Sequence, residues 1–188
     1  RIVFMSSLFA IGHFDYATTE TTPLEPRTHY GIGKAACEHL IKSFSGDYGI
    51  IRTTSVYGAG DVNNRVPQII IENALTNNDN LKINQAALLD FTYVKDLVEG
   101  IKKVMFYNGN GVFNISGGKA MTLIEFINTV KTSIGKNLKY ETHSTEDRGR
   151  RGSLVNDKAR LILNWEPKFD LLSGVKDTIN IYKESIKI

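Results

Sequence analysis

Hydrophobic and polar positions alternate between two periods along this 188-residue chain. The unbroken apolar run Ile2 to Met5, followed by Ser6 and Ser7, predicts a fully buried strand that ends in a polar loop. Residues 13–28 are polar and contain Pro23 and Pro26, which predicts an irregular surface connection. A helix is then expected from about His29 to Ser45, with Ala35, Ala36, Leu40, Ile41 and Phe44 as its apolar stripe. Gly46 and Gly49 bracket its end, and "GIIRTTSVYG" reads as the next strand, leaving through a glycine-containing loop. Strand, helix and strand at this spacing form a βαβ unit, which requires a parallel sheet and a right-handed crossover.

Beyond Gly60 the alternation becomes irregular. "VPQIIIENAL" predicts a helix with Pro67 in its first turn. "LKIN" and "DFTYV" predict short strands, and Lys95 to Phe106 a helix whose N-terminal end favours the Asp96 carboxylate. "GVFNIS" predicts a strand, and "TLIEFINTVKTSIG" a helix with Thr122 and Glu125 at capping-box spacing. "LKYET" is a further strand, before a basic loop, a short helix near Asp157 to Leu163 and a last helix from about Leu171. The fold class is α/β. Residues 1–60 read as a parallel-sheet piece and 61–188 mostly as a smaller mixed lobe.

Composition narrows the function. The formal net charge of +3, with interspersed signs, argues against nucleic acid or an anionic membrane as partner. Arg148, Arg150 and Arg151 are the one local basic cluster. A single cysteine, Cys37, excludes an internal disulfide framework and suits a reducing cytoplasm. No apolar run approaches the roughly 20 residues that span a bilayer. His13, His29, His39 and His143 lack paired ligand spacing, so no metal site is expected. Trp165 in "LNWEP" reads as a packing anchor beside a turn.

The chemistry concentrates at "HYGIGKAACEHLIKSF". Tyr30 and Lys34 are four residues apart, so the phenol and the ammonium share a helical face. A neighbouring positive charge stabilises phenolate, and a tyrosine so tuned can take or return a substrate proton. Alone, a YxxxK spacing is also ordinary helix surface. Its surroundings change the odds. Ser6 and Ser7 leave the C-terminal end of the preceding strand, and Thr53, Thr54 and Ser55 leave the following one. Ligands in open α/β sheets bind at those strand ends.

The ordered segments "FMSS…G", "P…HYGIGKAACEHL", "IIRTTSVYGAGD", "LDFTYVKDLVEGI" and "LNWEP" resemble the extended short-chain dehydrogenase/reductase superfamily. Within it, the NAD-dependent epimerase/dehydratase family acting on nucleotide sugars is the nearest likeness, over nearly the whole chain. This likeness implies that residues 1–60 are the C-terminal portion of a doubly wound, Rossmann-like parallel sheet, to which some segments of 61–188 return. The resemblance implies a catalytic set of Ser7, which hydrogen-bonds the reacting oxygen, Tyr30 as acid/base, and Lys34, which holds the nicotinamide ribose. It implies NAD (or NADP) contacts at Tyr30, Lys34, Ser55 and Val56. Substrate contacts are implied at Ser6, Ser55, Leu89 and Arg148, the last suited to a diphosphate because a guanidinium fork matches phosphate oxygens. A homodimer follows from the same likeness, since the family commonly pairs through the dyad helix and its neighbour.

Departures from the family pattern shape the expectation. Leu89 stands where an arginine is usual, with the arginines at 148, 150 and 151 as candidates to compensate. Ser55 replaces an asparagine and Ile11 a tyrosine. Leu8 and Phe9 follow Ser7 where the 4,6-dehydratase branch carries acids, which disfavours dehydration. The family's glycine-rich strand–turn–helix for the dinucleotide pyrophosphate is not in this sequence, so on the order of a hundred residues of βα units are expected to precede it in a complete enzyme. The first strand would then present an unpaired edge. Three functions follow: a nucleotide-sugar epimerase or a part of one, a carbonyl or ketosugar reductase of the same superfamily, and a non-catalytic binding or scaffold remnant.

Overall fold

A computed structural model of the chain describes residues 1–14, 16–76, 78, 81–144 and 151–186. In chain order the elements are β1 (Ile2–Met5), a 3-10 turn (Leu8–Ala10), α1 (His29–Lys42), β2 (Tyr48–Arg52), β3 (Ser55–Tyr57) and α2 (Val66–Thr76). There follow β4 (Leu81–Asn84), β5 (Leu88–Tyr93), α3 (Val94–Met105), β6 (Gly111–Asn114), β7 (Ala120–Thr122) and α4 (Leu123–Ile134). The chain closes with β8 (Tyr140–His143), α5 (Asp157–Leu163) and α6 (Leu171–Ile186).

The expected βαβ unit forms: β1 pairs in parallel with β2, Ile2 opposite Tyr48 through Met5 opposite Ile51. β6 adds to the other side of β2 in parallel. The 49–58 stretch, read as one strand, is two strands in different sheets. Backbone demand at the junction explains the break. Ser6 and Leu8 donate to the Ile51 and Thr53 carbonyls and Ile115 to that of Arg52, while three residues on, β3 is paired with β5. β5 also pairs antiparallel with β7, a three-residue strand that the sequence pattern did not announce. β4 and β8 make a separate parallel pair.

Two apolar cores result. One packs α2, α4 and α6 on the β3–β5 sheet around Tyr57, Phe91, Phe126 and Val175. The other packs α3 and α5 on β2 and β6 around Ile51, Leu97, Phe113 and Trp165. Trp165 is the anchor expected of it, with Nε1 donating to the Asp96 carbonyl at 3.1 Å. Thr122 and Glu125 form the expected capping box. Asp96 lies in the first turn of α3 as expected, and its carboxylate also accepts the backbone N–H groups of Lys168 (2.9 Å) and Phe169 (3.1 Å).

Two elements differ from expectation in burial. β1 is half-buried, with Ile2 exposed, because its outer edge carries no partner strand among the described residues. In α1, Leu40 is 70% exposed, and Phe44, just past the helix, also faces solvent; the buried face is Gly31, Ala35 and Glu38. This helix approaches too closely for large side chains. A Cβ at Gly31 would collide with the Phe9 carbonyl.

Candidate active site

The site lies beyond the C-terminal end of β1 and at the start of β3, where Ser7, Phe9, Tyr30, Thr54, Ser55 and Val56 line a cavity of about 420 Å³. Leu89 closes one wall, Asn63, Asn64 and Arg65 the rim before α2, and Arg151 the far side. Local structure places each of these. Ser7 caps the 3-10 turn, its Oγ accepting the Phe9 N–H at 3.3 Å. Thr28 caps α1, its Oγ1 accepting the Gly31 N–H at 3.0 Å, which starts the helix with Tyr30 in the first turn. Tyr30 is 56% exposed and stands edge-to-face on Phe9, ring centroids 5.8 Å apart. One turn on, Lys34 Nζ lies 5.5 Å from the Tyr30 ring and donates to the Met5 carbonyl at 2.7 Å.

Five of the expected site residues therefore meet in one cavity: Ser7, Tyr30, Ser55, Val56 and Leu89. Lys34 stands beside Tyr30 at its edge. Ser6 does not take part. Its side chain points to the opposite side of the strand end and donates to Glu38 Oε1 at 2.6 Å in a buried network, which leaves no hydroxyl for a substrate. Arg148 lies outside the described residues. Ile11, at the position of the family's tyrosine, is buried in a small cluster with Leu8, Phe14 and Leu154.

A different member of the basic cluster supplies the guanidinium. Arg151 stacks 4.2 Å over the Phe9 ring, and its backbone N–H donates to the Leu88 carbonyl at 2.7 Å. Burial lowers its pKa from the ordinary value for arginine. The segment behind it is held by Gly152 N–H on the Phe14 carbonyl and by the Thr18–Leu154 bridge. Thr54 belongs to the hydroxyl run expected at this strand end, whereas Arg65 and the two asparagines were not anticipated, because nothing in their local pattern distinguishes them from loop polar residues. The Arg148, Arg150 and Arg151 cluster was the usable signal, and only the fold selects Arg151 within it.

The cavity has hydroxyl donors on its floor, guanidinium groups on its far side and rim, and no acidic side chain among its described lining residues. Such a site suits an anionic, hydroxyl-bearing ligand and proton transfer at Tyr30. No cluster of acidic, histidine and cysteine side chains able to hold a metal exists among the described residues. No described helix is long and apolar enough to cross a membrane.

Known proteins resemble this chain in sequence and fold. The family described as GDP-mannose 4,6 dehydratase matches residues 1–178. A putative UDP-glucose 4-epimerase of Methanocaldococcus jannaschii is 28% identical over 201 residues, covering 98% of this chain and 64% of its own length. A UDP-glucuronate 4-epimerase of Thermodesulfobacterium geofontis is 29% identical over 176 residues, covering 89% and 53%. The structure of a Thermotoga maritima UDP-glucose 4-epimerase with UDP-glucose superposes with a TM-score of 0.86 at 27% identity, over 98% of this chain and 63% of that one. The chain thus spans about half to two thirds of the length of these relatives. It belongs to the NAD-dependent epimerase/dehydratase family of the extended short-chain dehydrogenase/reductase superfamily.

Proposed function

We propose that this chain carries the catalytic and substrate-binding part of an NAD-dependent nucleotide-sugar epimerase. The observation that carries the reading is the convergence of Ser7, Tyr30 and Arg151 on one cavity with Lys34 a helical turn from the tyrosine. The donor set fits the nicotinamide end of a dinucleotide: Lys34 presents a multiply donating ammonium and Tyr30 a hydroxyl at the open edge of the sheet. The bound dinucleotide would supply a hydride acceptor and donor for the sugar carbon beside Tyr30 and Lys34.

The chain's own residues do the rest. The Tyr30 hydroxyl takes the proton of the reacting sugar hydroxyl and gives it back when the carbonyl is reduced. The Ser7 Oγ already accepts the Phe9 N–H, so its O–H is directed outward and can donate to the reacting oxygen. Arg151, fixed on Phe9, holds the diphosphate, with Arg65 at the rim. Leu8, Phe9 and Leu89 exclude water from one wall, and the absence of a carboxylate among the described lining residues favours epimerisation over elimination of water. A homodimer belongs to the same reading, because Ile32 and Leu40 on α1 and Phe44 just past it are exposed apolar side chains. The apolar Leu89 wall also supports a second reading, a reductase of the superfamily that acts on a smaller carbonyl compound.

The test is NAD-dependent interconversion of UDP-glucose and UDP-galactose by the wild-type protein and Tyr30→Phe. The epimerase reading requires turnover that the phenylalanine variant abolishes without loss of folding. Turnover of simple ketones in place of UDP-sugars would favour the reductase. Equal activity in both proteins would reject the catalytic assignment of Tyr30.

A further inference from the structure

Three consecutive residues at the end of β1 each engage a different partner. The Met5 carbonyl accepts from Lys34 Nζ at 2.7 Å, the Ser6 hydroxyl donates to Glu38 Oε1 at 2.6 Å, and Ser7 lines the cavity. Lys34 and Glu38 are one turn apart on the same face of α1, and Tyr30 is one turn before them. The helix that carries the tyrosine is therefore fastened at two successive turns to the strand end that carries the serine.

The second fastening is built with unusual completeness. Glu38 is fully buried, and both its oxygens are used: Arg52 donates through Nε to Oε1 at 2.9 Å and through Nη2 to Oε2 at 2.8 Å. Arg52 is the last residue of β2 and is itself buried; its Nη1 reaches the Glu20 carbonyl at 3.2 Å. Lys42 lies 3.8 Å from Oε2 on the next turn. Burial opposes the Glu38 charge, yet the hydrogen bonds from Arg52 and Ser6 and the charges of Arg52 and Lys42 outweigh it and hold the carboxyl below its ordinary range. An ion pair sealed from water gives little stability relative to apolar side chains of the same volume, whereas its directional bonds fix register. An apolar contact could slide along the helix; a carboxylate bound at both oxygens by two strand ends cannot.

We infer that Ser6, Glu38 and Arg52 form a latch that sets the spacing between Ser7 and Tyr30, making them positioning residues for the reaction. This rests on the epimerase reading for its kinetic arm. It accounts for a serine pair in which only the second hydroxyl faces substrate, and for a charged residue at the centre of the buried face of α1. Lys42 and Glu20 are auxiliary, since neither replaces a bond to the Ser6 hydroxyl.

Ser6→Ala, Ser6→Thr and the apolar exchange of Glu38→Leu with Arg52→Met test it, by UDP-sugar turnover with NAD, thermal unfolding and backbone amide NMR. Ser6→Ala is expected to lower kcat about tenfold or more with KM and Tm near wild type, as a misplacement of reacting groups does. Its amide shifts are expected to reach Ser7 on one side and Tyr30 to Lys34 on the other, and Ser6→Thr to restore both signals. The apolar double variant is expected to fold with a Tm at or above wild type and a lowered kcat. A Ser6→Ala protein with wild-type kcat, or with shifts confined to the immediate neighbours of Ser6, overturns the latch. A change in KM alone assigns Ser6 to substrate contact, and a fall in Tm alone assigns the network to stability; either also overturns it. If wild-type protein turns over no UDP-sugar, the epimerase reading falls, and the amide shifts decide the latch on their own.

Discussion

The Arg151 guanidinium carbon lies 4.2 Å from the centre of the Phe9 ring, and this contact holds a guanidinium at the cavity that Tyr30 also lines. The group is partly desolvated and has no carboxylate partner among the described residues, so its donors are available to an anion. Arg151→Ala is expected to weaken UDP binding by about 1.5–3 kcal/mol, the worth of a hydrogen bond to a charged group. Arg151→Lys should recover only part, since an ammonium neither stacks as well nor binds two phosphate oxygens in a fork. Calorimetry with UDP, and with uridine as a reference lacking phosphate, checks this. Equal losses for UDP and uridine would show that Arg151 acts through packing.

Gly31 and Gly33 make a matched pair on α1. Both lie inside a helix, where alanine is favoured over glycine by ~1 kcal/mol. At Gly33 an added Cβ meets open space, while at Gly31 it meets the Phe9 carbonyl, and backbone there cannot step aside cheaply. Gly33→Ala should therefore stabilise by up to ~1 kcal/mol, and Gly31→Ala destabilise by about 1–3 kcal/mol through overpacking. Because Gly31 follows Tyr30 directly, only the second change should also depress turnover. Urea unfolding and rate measurements on the two variants separate the effects.

Asp90 supplies a pH dependence. Its carboxyl is buried beneath the site and accepts Gly118 N–H at 3.1 and 3.2 Å and Leu154 N–H at 3.2 Å. Burial nonetheless pushes its pKa to about 7, against those bonds and the Ser116 hydroxyl. In the unfolded chain an aspartate titrates near 3.9, so between the two values the folded protein binds the proton more tightly. This contribution to stability is complete below about pH 4 and is lost as pH rises through about 7, a change of ~4 kcal/mol. Urea midpoints at pH 5 and 8 should fall more steeply for wild type than for Asp90→Asn, which cannot ionise. Parallel slopes would mean that the carboxyl is charged throughout.

How much of this was legible in the sequence depended on which physical signal marked each element. The βαβ unit, α2, α4 and α5 follow from apolar periodicity, proline placement and the Thr122–Glu125 box, all local properties. The face of α1 was misread because periodicity searches for large apolar side chains, whereas this helix buries a glycine, an alanine and an ion-paired glutamate. Ser6 and Ser7 are indistinguishable by residue type, and their opposite roles appear only once Glu38 is brought beside the strand end. Arg151 could be separated from Arg148 and Arg150 only through contacts with Phe9, which is 142 residues earlier. Five of the expected residues nevertheless lie in one cavity, because the end of β1, the first turn of α1 and the paired strands β3 and β5 meet there.

Asp96 joins the site's supporting sheet to the segment that follows α5, and its loss should be costly. Its two carboxylate oxygens accept the N–H groups of Lys168 and Phe169, its own carbonyl accepts the Trp165 indole, and the side chain is nearly inaccessible to water. Asp96→Ala removes the acceptors of two part-buried N–H groups, at about 0.5–1.5 kcal/mol each. Asp96→Asn retains one acceptor oxygen but turns an amide donor toward the other N–H, so it should fall between alanine and wild type. The fluorescence of Trp165, the only tryptophan, reports directly on this joint. A red-shifted emission in native buffer together with a lowered urea midpoint is the expected result. A lowered midpoint with unshifted emission would show that the turn stays packed through the apolar cluster that Trp165 shares with Leu163 and Phe113, and that Asp96 acts on stability without holding the turn in place.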